Sequence, residues 1–153
     1  MPQFLALKSD NKLKETIATT FDMQLDISGS WGYTQEDVTI IHHSDTPLKQ
    51  FQHMFASLRA YMEMNIMQHK EARYGSINLS EIDRKSIIHA HTEYEKVSYS
   101  VTAMREDIYA TFISEYKAGY GKKDFNLSKH FQEREEAMLR REVSHWFCIE
   151  KNA

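Results

Sequence analysis

Val97-Ser98-Tyr99-Ser100-Val101-Thr102-Ala103 is the stretch on which the fold class turns. Val97, Tyr99, Val101 and Ala103 alternate with small polar residues in a β-branched and aromatic context, the period-two pattern of a strand with one buried face. The same region carries a helical spacing through Tyr94, Val97, Val101, Met104, Ile108 and Phe112, which fits one long helix from about Asp83. Residues 83–103 thus admit both readings. The strand is preferred up to Ala103, followed by a helix from Met104 to Lys117 closed by Gly119. That choice makes the chain α+β.

Upstream, the firmest pattern is helical. Leu48, Phe51, Phe55, Leu58, Met62, Asn65 and Ile66 recur at three and four residues, and Met54 and Tyr61 widen the stripe. Running to about Arg73, before Gly75, this helix would hold about 25 residues and measure roughly 38 Å. A rod of that length spans the domain or packs on a second copy. Ahead of it, Ile40-Ile41-His42-His43-Ser44-Asp45-Thr46-Pro47 reads as a strand entering a helix start. Asp45 or Thr46 caps the helix and Pro47 suits its first position. Met23, Leu25 and Ile27 alternate as a strand, and the turn Ser28-Gly29-Ser30-Trp31-Gly32-Tyr33 joins it to Val38–His43 as a hairpin.

Phe4 to Leu7, ended by Ser9-Asp10, reads as an N-terminal strand, and Asp10 can cap a helix through Leu13, Ile17 and Phe21. Ile77 and Leu79 alternate after Ser76. The resulting order β-α-β-β-α-β up to residue 80 fits a ferredoxin-like start. Beyond the break at Gly119–Asp124, Asn126 or Ser128 caps a last helix carrying Leu127, Phe131, Met138, Leu139, Val143, Trp146 and Phe147. Trp146 to Ile149 fit a short strand instead. The expected architecture is one globular domain over residues 1–153, a mixed or antiparallel sheet with a long amphipathic helix and two C-terminal helices.

A hydrophobic fraction of 41% with 27% charged residues is that of a globular domain. The net charge of −3 provides no global attraction to nucleic acid or anionic membrane, so neither is expected as a partner. Cys148 is the only cysteine, which rules out an internal disulfide. No window approaches 18 apolar residues, and Met1–Asp10 lacks the basic region of an export signal. A cytoplasmic protein is expected.

Histidines supply the main chemical candidates. His42, Asp45, His89 and His91 are suitable metal ligands, with His43 beside them, and His89 and His91 on one strand would share a face. A divalent metal is thus conceivable, although no cofactor is expected by default. Neighbouring strand residues point to opposite faces, so His42 and His43 cannot both contribute. Eight histidines in 153 residues also cluster by chance. Ile40-Ile41-His42-His43-Ser44 resembles the strand bearing a zinc-ligand histidine in the N-acetylmuramoyl-L-alanine amidase family. The likeness covers those residues alone: the Gly-rich region and later ligands that family requires are missing, and that reading is rejected.

Two other chemistries have weaker anchors. Glu142-Val143-Ser144-His145 has the Glu-x-x-His spacing of di-iron helices but no second copy. Cys148, between Phe147 and Ile149, suits a buried, inert thiol better than a nucleophile. No serine-hydrolase elbow, phosphate loop or dinucleotide fingerprint occurs. The expectation therefore leans away from an enzyme. Met54, Tyr61, Met64 and Met67 suggest an adaptable apolar surface on the long helix, since Met64 and Met67 fall off its main stripe. The leading expectation is a binding or regulatory module with an unknown protein or small-molecule partner, acting as a homo-oligomer through that helix. The alternatives are a metal- or histidine-dependent enzyme around His42, Asp45, His89 and His91, and an acidic inhibitor or immunity-type protein.

Overall fold

The structure, a computed structural model, describes residues 2–8, 10 and 12–150. Its order is α1 (Leu13–Phe21), β1 (Asp26–Gly29), β2 (Thr39–His43), α2 (Leu48–Tyr61), β3 (Tyr74–His89), β4 (Thr92–Arg105), α3 (Glu106–Gly119), α4 (Leu127–Glu136) and β5 (Leu139–Ile149). The strands form one mixed sheet in the order β1-β2-β5-β4-β3. All neighbours are antiparallel except β2 and β5, which run parallel. The chain is α+β, as its sequence implies. No helix among the described residues is long and apolar enough to cross a membrane.

Period two wins in the deciding stretch because its alternate residues have somewhere to go. Val97, Tyr99, Val101 and Ala103 are each fully buried, facing α2, while Ser98, Ser100 and Thr102 lie on the opposite face. β3 pairs with β4 from Tyr74↔Arg105 to His89↔Thr92, so the rival helix from Asp83 does not form. Ala90 and His91 close this hairpin with φ of 50° and 66°. Two positive φ values in a two-residue loop mark a type I′ turn, here without the usual Asn-Gly.

Several expectations need correction, among them the cap of α2, where Pro47 holds the cap position and neither Asp45 nor Thr46 bonds the helix end. Phe4 to Leu7 form no strand; Phe4 and Leu7 pack over the core, with Phe4 edge-on to Tyr74 at 5.6 Å and Leu7 N–H donating to the Tyr33 hydroxyl at 3.1 Å. Ser9 lies outside the described residues. Without that strand the order is α-β-β-α-β-β, and the ferredoxin-like start is absent. Lys12, not Asp10, holds the cap position of α1, and no side chain bonds there. α2 is shorter than expected: Met62–Ile66 form a π-helical turn, and a short 3-10 turn, Lys70–Ala72, leads into β3. Asn65 anchors that exit by donating to Tyr74 O at 2.8 Å.

The last helix also stops early. Asn126 caps α4, accepting from Lys129 N–H at 3.0 Å, but the helix ends at Glu136 and the following residues turn into β5. β5 lies between β2 and β4, so both of its faces carry large side chains: His145 and Phe147 inward, Trp146 and Cys148 outward. A strand apolar on both faces loses the alternation that identifies strands. Glu142 and His145 consequently point to opposite faces, and Arg140 pairs with Glu135 at the end of α4.

α1 and α2 cover one face of the sheet. Leu13, Ile17, Trp31, Phe55, Met64 and Phe147 fill the space between them. α3 and α4 pack together beside the end of the β3–β4 hairpin, around Met104. The opposite face over β2, β5 and β4 carries half-exposed and exposed side chains and no fully buried one.

Candidate functional site

The four proposed metal ligands are not brought together. His42 lies on the open face of β2, and His89 and His91 stand at the tip of the β3–β4 hairpin. β5 and β4 intervene, which puts three strand spacings, about 14 Å, between β2 and β3. Two ligands of one ion lie within about 4 Å of each other. His91 sits in the turn, so it shares no strand face with His89. Asp45 is engaged by His43 Nε2 at 2.9 Å, and His43 points away from His42. Among the described residues no group of three His, Cys, Asp or Glu side chains is placed to hold a metal.

What the structure does assemble at His42 is a hydrogen-bonded chain. Ser28 Oγ lies 2.6 Å from His42 Nε2, and His42 Nδ1 bonds the Glu150 carboxylate. A carboxylate only accepts, so Nδ1 carries a proton, and in the neutral ring Nε2 then accepts from the serine hydroxyl. Three strands supply the three groups: Ser28 from β1, His42 from β2 and Glu150 from just past the end of β5. Glu150 is fixed by its backbone N–H, which donates to Ile41 O at 3.0 Å. Beside it a cleft of about 420 Å³, with Ile41, Leu48 and Ile149 among its lining residues, opens next to His42 and Glu150.

Register places Ser28 at the end of a cross-strand row. Ser28 pairs with Ile40, Ile40 with Cys148, Cys148 with Tyr94 and Tyr94 with Ile87. All five are half-exposed and share the open face. In the next row Lys96 stands 5.5 Å over the Trp146 ring, and in the row after that the Ser98 and Ser144 hydroxyls bond at 3.0 Å. Burial and the Glu150 carboxylate push the Cys148 thiol pKa up, so it stays protonated.

A second polar cluster lies largely inside. Tyr33 donates to Glu63 Oε2 at 2.5 Å, Arg141 reaches Glu63 Oε1 at 3.3 Å, and Arg59 lies 4.4 Å over the Tyr33 ring. Arg59 donates to Ser144 O at 2.9 Å and Trp31 O at 3.2 Å. Burial lowers its pKa, and burial beside Glu63 lifts Tyr33 well above the usual phenol range. Arg59 and Glu63 are each 2% exposed, and Phe4 and Leu7 close the cluster from outside. It ties α2, its π turn, β5 and the N-terminal segment together. Its Arg59 and Glu63 are buried, while Tyr33 and Arg141 are partly exposed.

The methionine surface is also redistributed. Met64 is 0% exposed and belongs to the core, because the π turn rotates it inward. Met54 is partly buried, Tyr61 leans on Phe21 at 6.1 Å, and Met67 is exposed. These residues form no continuous patch with Met64. Comparison with protein-family models, with curated proteins and with solved structures finds no match for this chain. What the geometry defines is an α+β protein with a five-stranded mixed sheet, helices on one face and an open second face.

Proposed function

We propose that this protein is a small binding module that acts as a homodimer through the open face of its sheet. The observation that carries the reading is the row Ile40–Cys148–Tyr94–Ile87, continued by Trp146 in the next row. A sheet covered on one side ordinarily turns polar residues to water on the other. Here apolar side chains run across four strands on that side, as expected of an interaction surface.

A second copy suits this face. Lys96 and Arg140 share it with Glu142, so a two-fold axis can bring unlike charges together. Ser98, Ser100, Ser144 and Thr102 leave room for close approach. From Tyr94 to Thr102 the face measures about 27 Å along the strand, and four strands span about 19 Å. That is roughly 500 Å² in projection, and side-chain relief brings it towards the ~800 Å² per partner of a stable interface. Dimerisation through α2 has less in its favour, since Phe51, Phe55, Met62 and Met64 are spent on the chain's own core. The single cysteine, with no internal disulfide to form, supports a cytoplasmic setting.

Size-exclusion chromatography with light scattering tests the proposal. Twice the 18.0 kDa chain mass is expected, reverting to 18.0 kDa in Trp146→Glu. A wild-type monomer at concentrations of tens of micromolar would sink it.

A further inference from the structure

Ser28, His42 and Glu150 are connected in the sense that nucleophilic catalysis requires. A hydroxyl becomes a nucleophile when a base within hydrogen-bond reach takes its proton, and the base works best when a third group fixes its tautomer. At 2.6 Å from Ser28 Oγ, His42 Nε2 meets the first condition. The Nδ1–Glu150 bond meets the second. The chain is also reachable: Ser28 and His42 are half-exposed, unlike His145, whose Nε2 bonds Thr39 in the sealed interior.

We propose that Ser28, His42 and Glu150 form an acyl-transfer centre at the β1 edge of the open face. Ser28 is the nucleophile, His42 the general base and Glu150 the positioning residue. The substrate class is a small neutral ester.

The backbone supplies a place for the developing oxyanion. Ser30 N–H donates to Val38 O at 2.9 Å, which makes Ser28 and Ile40 a hydrogen-bonded pair of the ladder. The Ser28 carbonyl therefore turns to β2, and the N–H of the same peptide, that of Gly29, points off the free edge of the sheet. It opens on a cleft of about 310 Å³ lined by Leu13, Lys14, Glu15, Ile27, Ser28 and Gly29. An ester carbonyl approaching Ser28 from the edge meets this donor, the arrangement that stabilises a tetrahedral intermediate. On the other side the cleft at His42 and Glu150, with Ile41, Leu48 and Ile149 in its lining and outside the Ile40–Cys148 row, offers an apolar bed for a short acyl chain.

In the first half-reaction the Ser28 Oγ–carbonyl carbon bond forms as the hydroxyl proton passes to His42 Nε2. The tetrahedral intermediate then collapses, the ester C–O bond breaks, and the departing alcohol takes that proton. In the second half-reaction water attacks the acyl-serine and gives its proton to His42. The acyl–Ser28 bond breaks, Ser28 recovers the proton and the carboxylic acid leaves. Ester and water become acid and alcohol, with no other reactant.

The test is covalent labelling with an alkyl fluorophosphonate, with the adduct located by peptide mass spectrometry, alongside hydrolysis of p-nitrophenyl butyrate. Wild-type protein should carry one adduct, on Ser28, and Ser28→Ala none. His42→Ala should slow labelling at least about a hundredfold. Glu150→Gln should lower kcat at least about tenfold with KM little changed, and Glu150→Asp should recover part of it. Mapping on the wild-type chain needs no variant to fold, and thermal midpoints of the variants report their folding. No adduct, an adduct on another residue, or labelling at the same rate in folded His42→Ala would overturn the proposal.

Discussion

Gly32 lies against the imidazole of His145, and no side chain fits between them. A carbon added at Gly32 would fall well inside contact distance of His145 Cδ2 and Nε2 and of the Trp146 carbonyl. The loop cannot back away, because Gly32 N–H donates to Asp37 O at 2.7 Å and Gly32 O accepts from Trp146 N–H at 2.8 Å. Its φ of 82° adds a backbone cost for any L residue. Gly32→Ala should therefore cost about 2–5 kcal/mol, joining a left-handed penalty of ~1–2 to overpacking of ~1–3. Urea unfolding measures it, and a loss below about 0.5 kcal/mol would mean that loop and ring part freely.

His145 makes stability depend on pH. Burial, and then the Arg59 guanidinium, hold its pKa well below the ordinary 6.5, so it is neutral in the fold. Thr39 Oγ1 donates to Ser30 O and accepts from His145 Nε2–H, which leaves Nδ1 bare and buried. The unfolded chain takes up a proton here near pH 6.5 and the folded chain does not. The contribution is therefore complete above that pH and lost below it, by up to about 1.4 kcal/mol per pH unit. Between pH 6.5 and 5 wild type should lose up to about 1.6 kcal/mol of stability relative to His145→Phe. Parallel pH curves for the two proteins would contradict this.

Met64 and Met67, three residues apart, should respond in opposite ways to truncation. Met64 is fully buried and Met67 is 63% exposed. Met64→Ala opens a cavity in the core and should cost about 2–5 kcal/mol. Met67→Ala should stay within about 0.5 kcal/mol. Equal effects in thermal or urea unfolding would place the two side chains in similar surroundings, against the π turn described above.

The residues that disclosed the fold are those whose surroundings match their local pattern. Val97 to Ala103 alternate and bury alternately; Asn126 precedes a helix and caps it; Phe51 and Phe55 recur on a helix and face the core. Two kinds of position escaped. β5 carries large side chains on both faces because it is central, so Val143, Trp146 and Phe147 mimic a helical spacing. The π turn displaces Met64 by a rotation that no spacing of apolar residues records. The Ser28–His42–Glu150 chain was half legible. His42 stood out beside its neighbours, but Ser28 looked like one more turn residue, and its partners lie 14 and then 108 positions further along. Only the register of three strands brings them together.

The place of β5 also governs how the protein can be made. It follows the other four described strands in the chain, yet it sits third of five in the sheet, and Thr39 and His145, bonded across that junction, are 106 residues apart. As the chain leaves the ribosome, the β1–β2 and β3–β4 hairpins emerge first, each with a bare inner edge waiting for the same missing strand. Pairing over such a separation is slow, and unpaired edges recruit other chains. Until residues 139–149 are available the nascent protein holds two half-sheets that no strand joins.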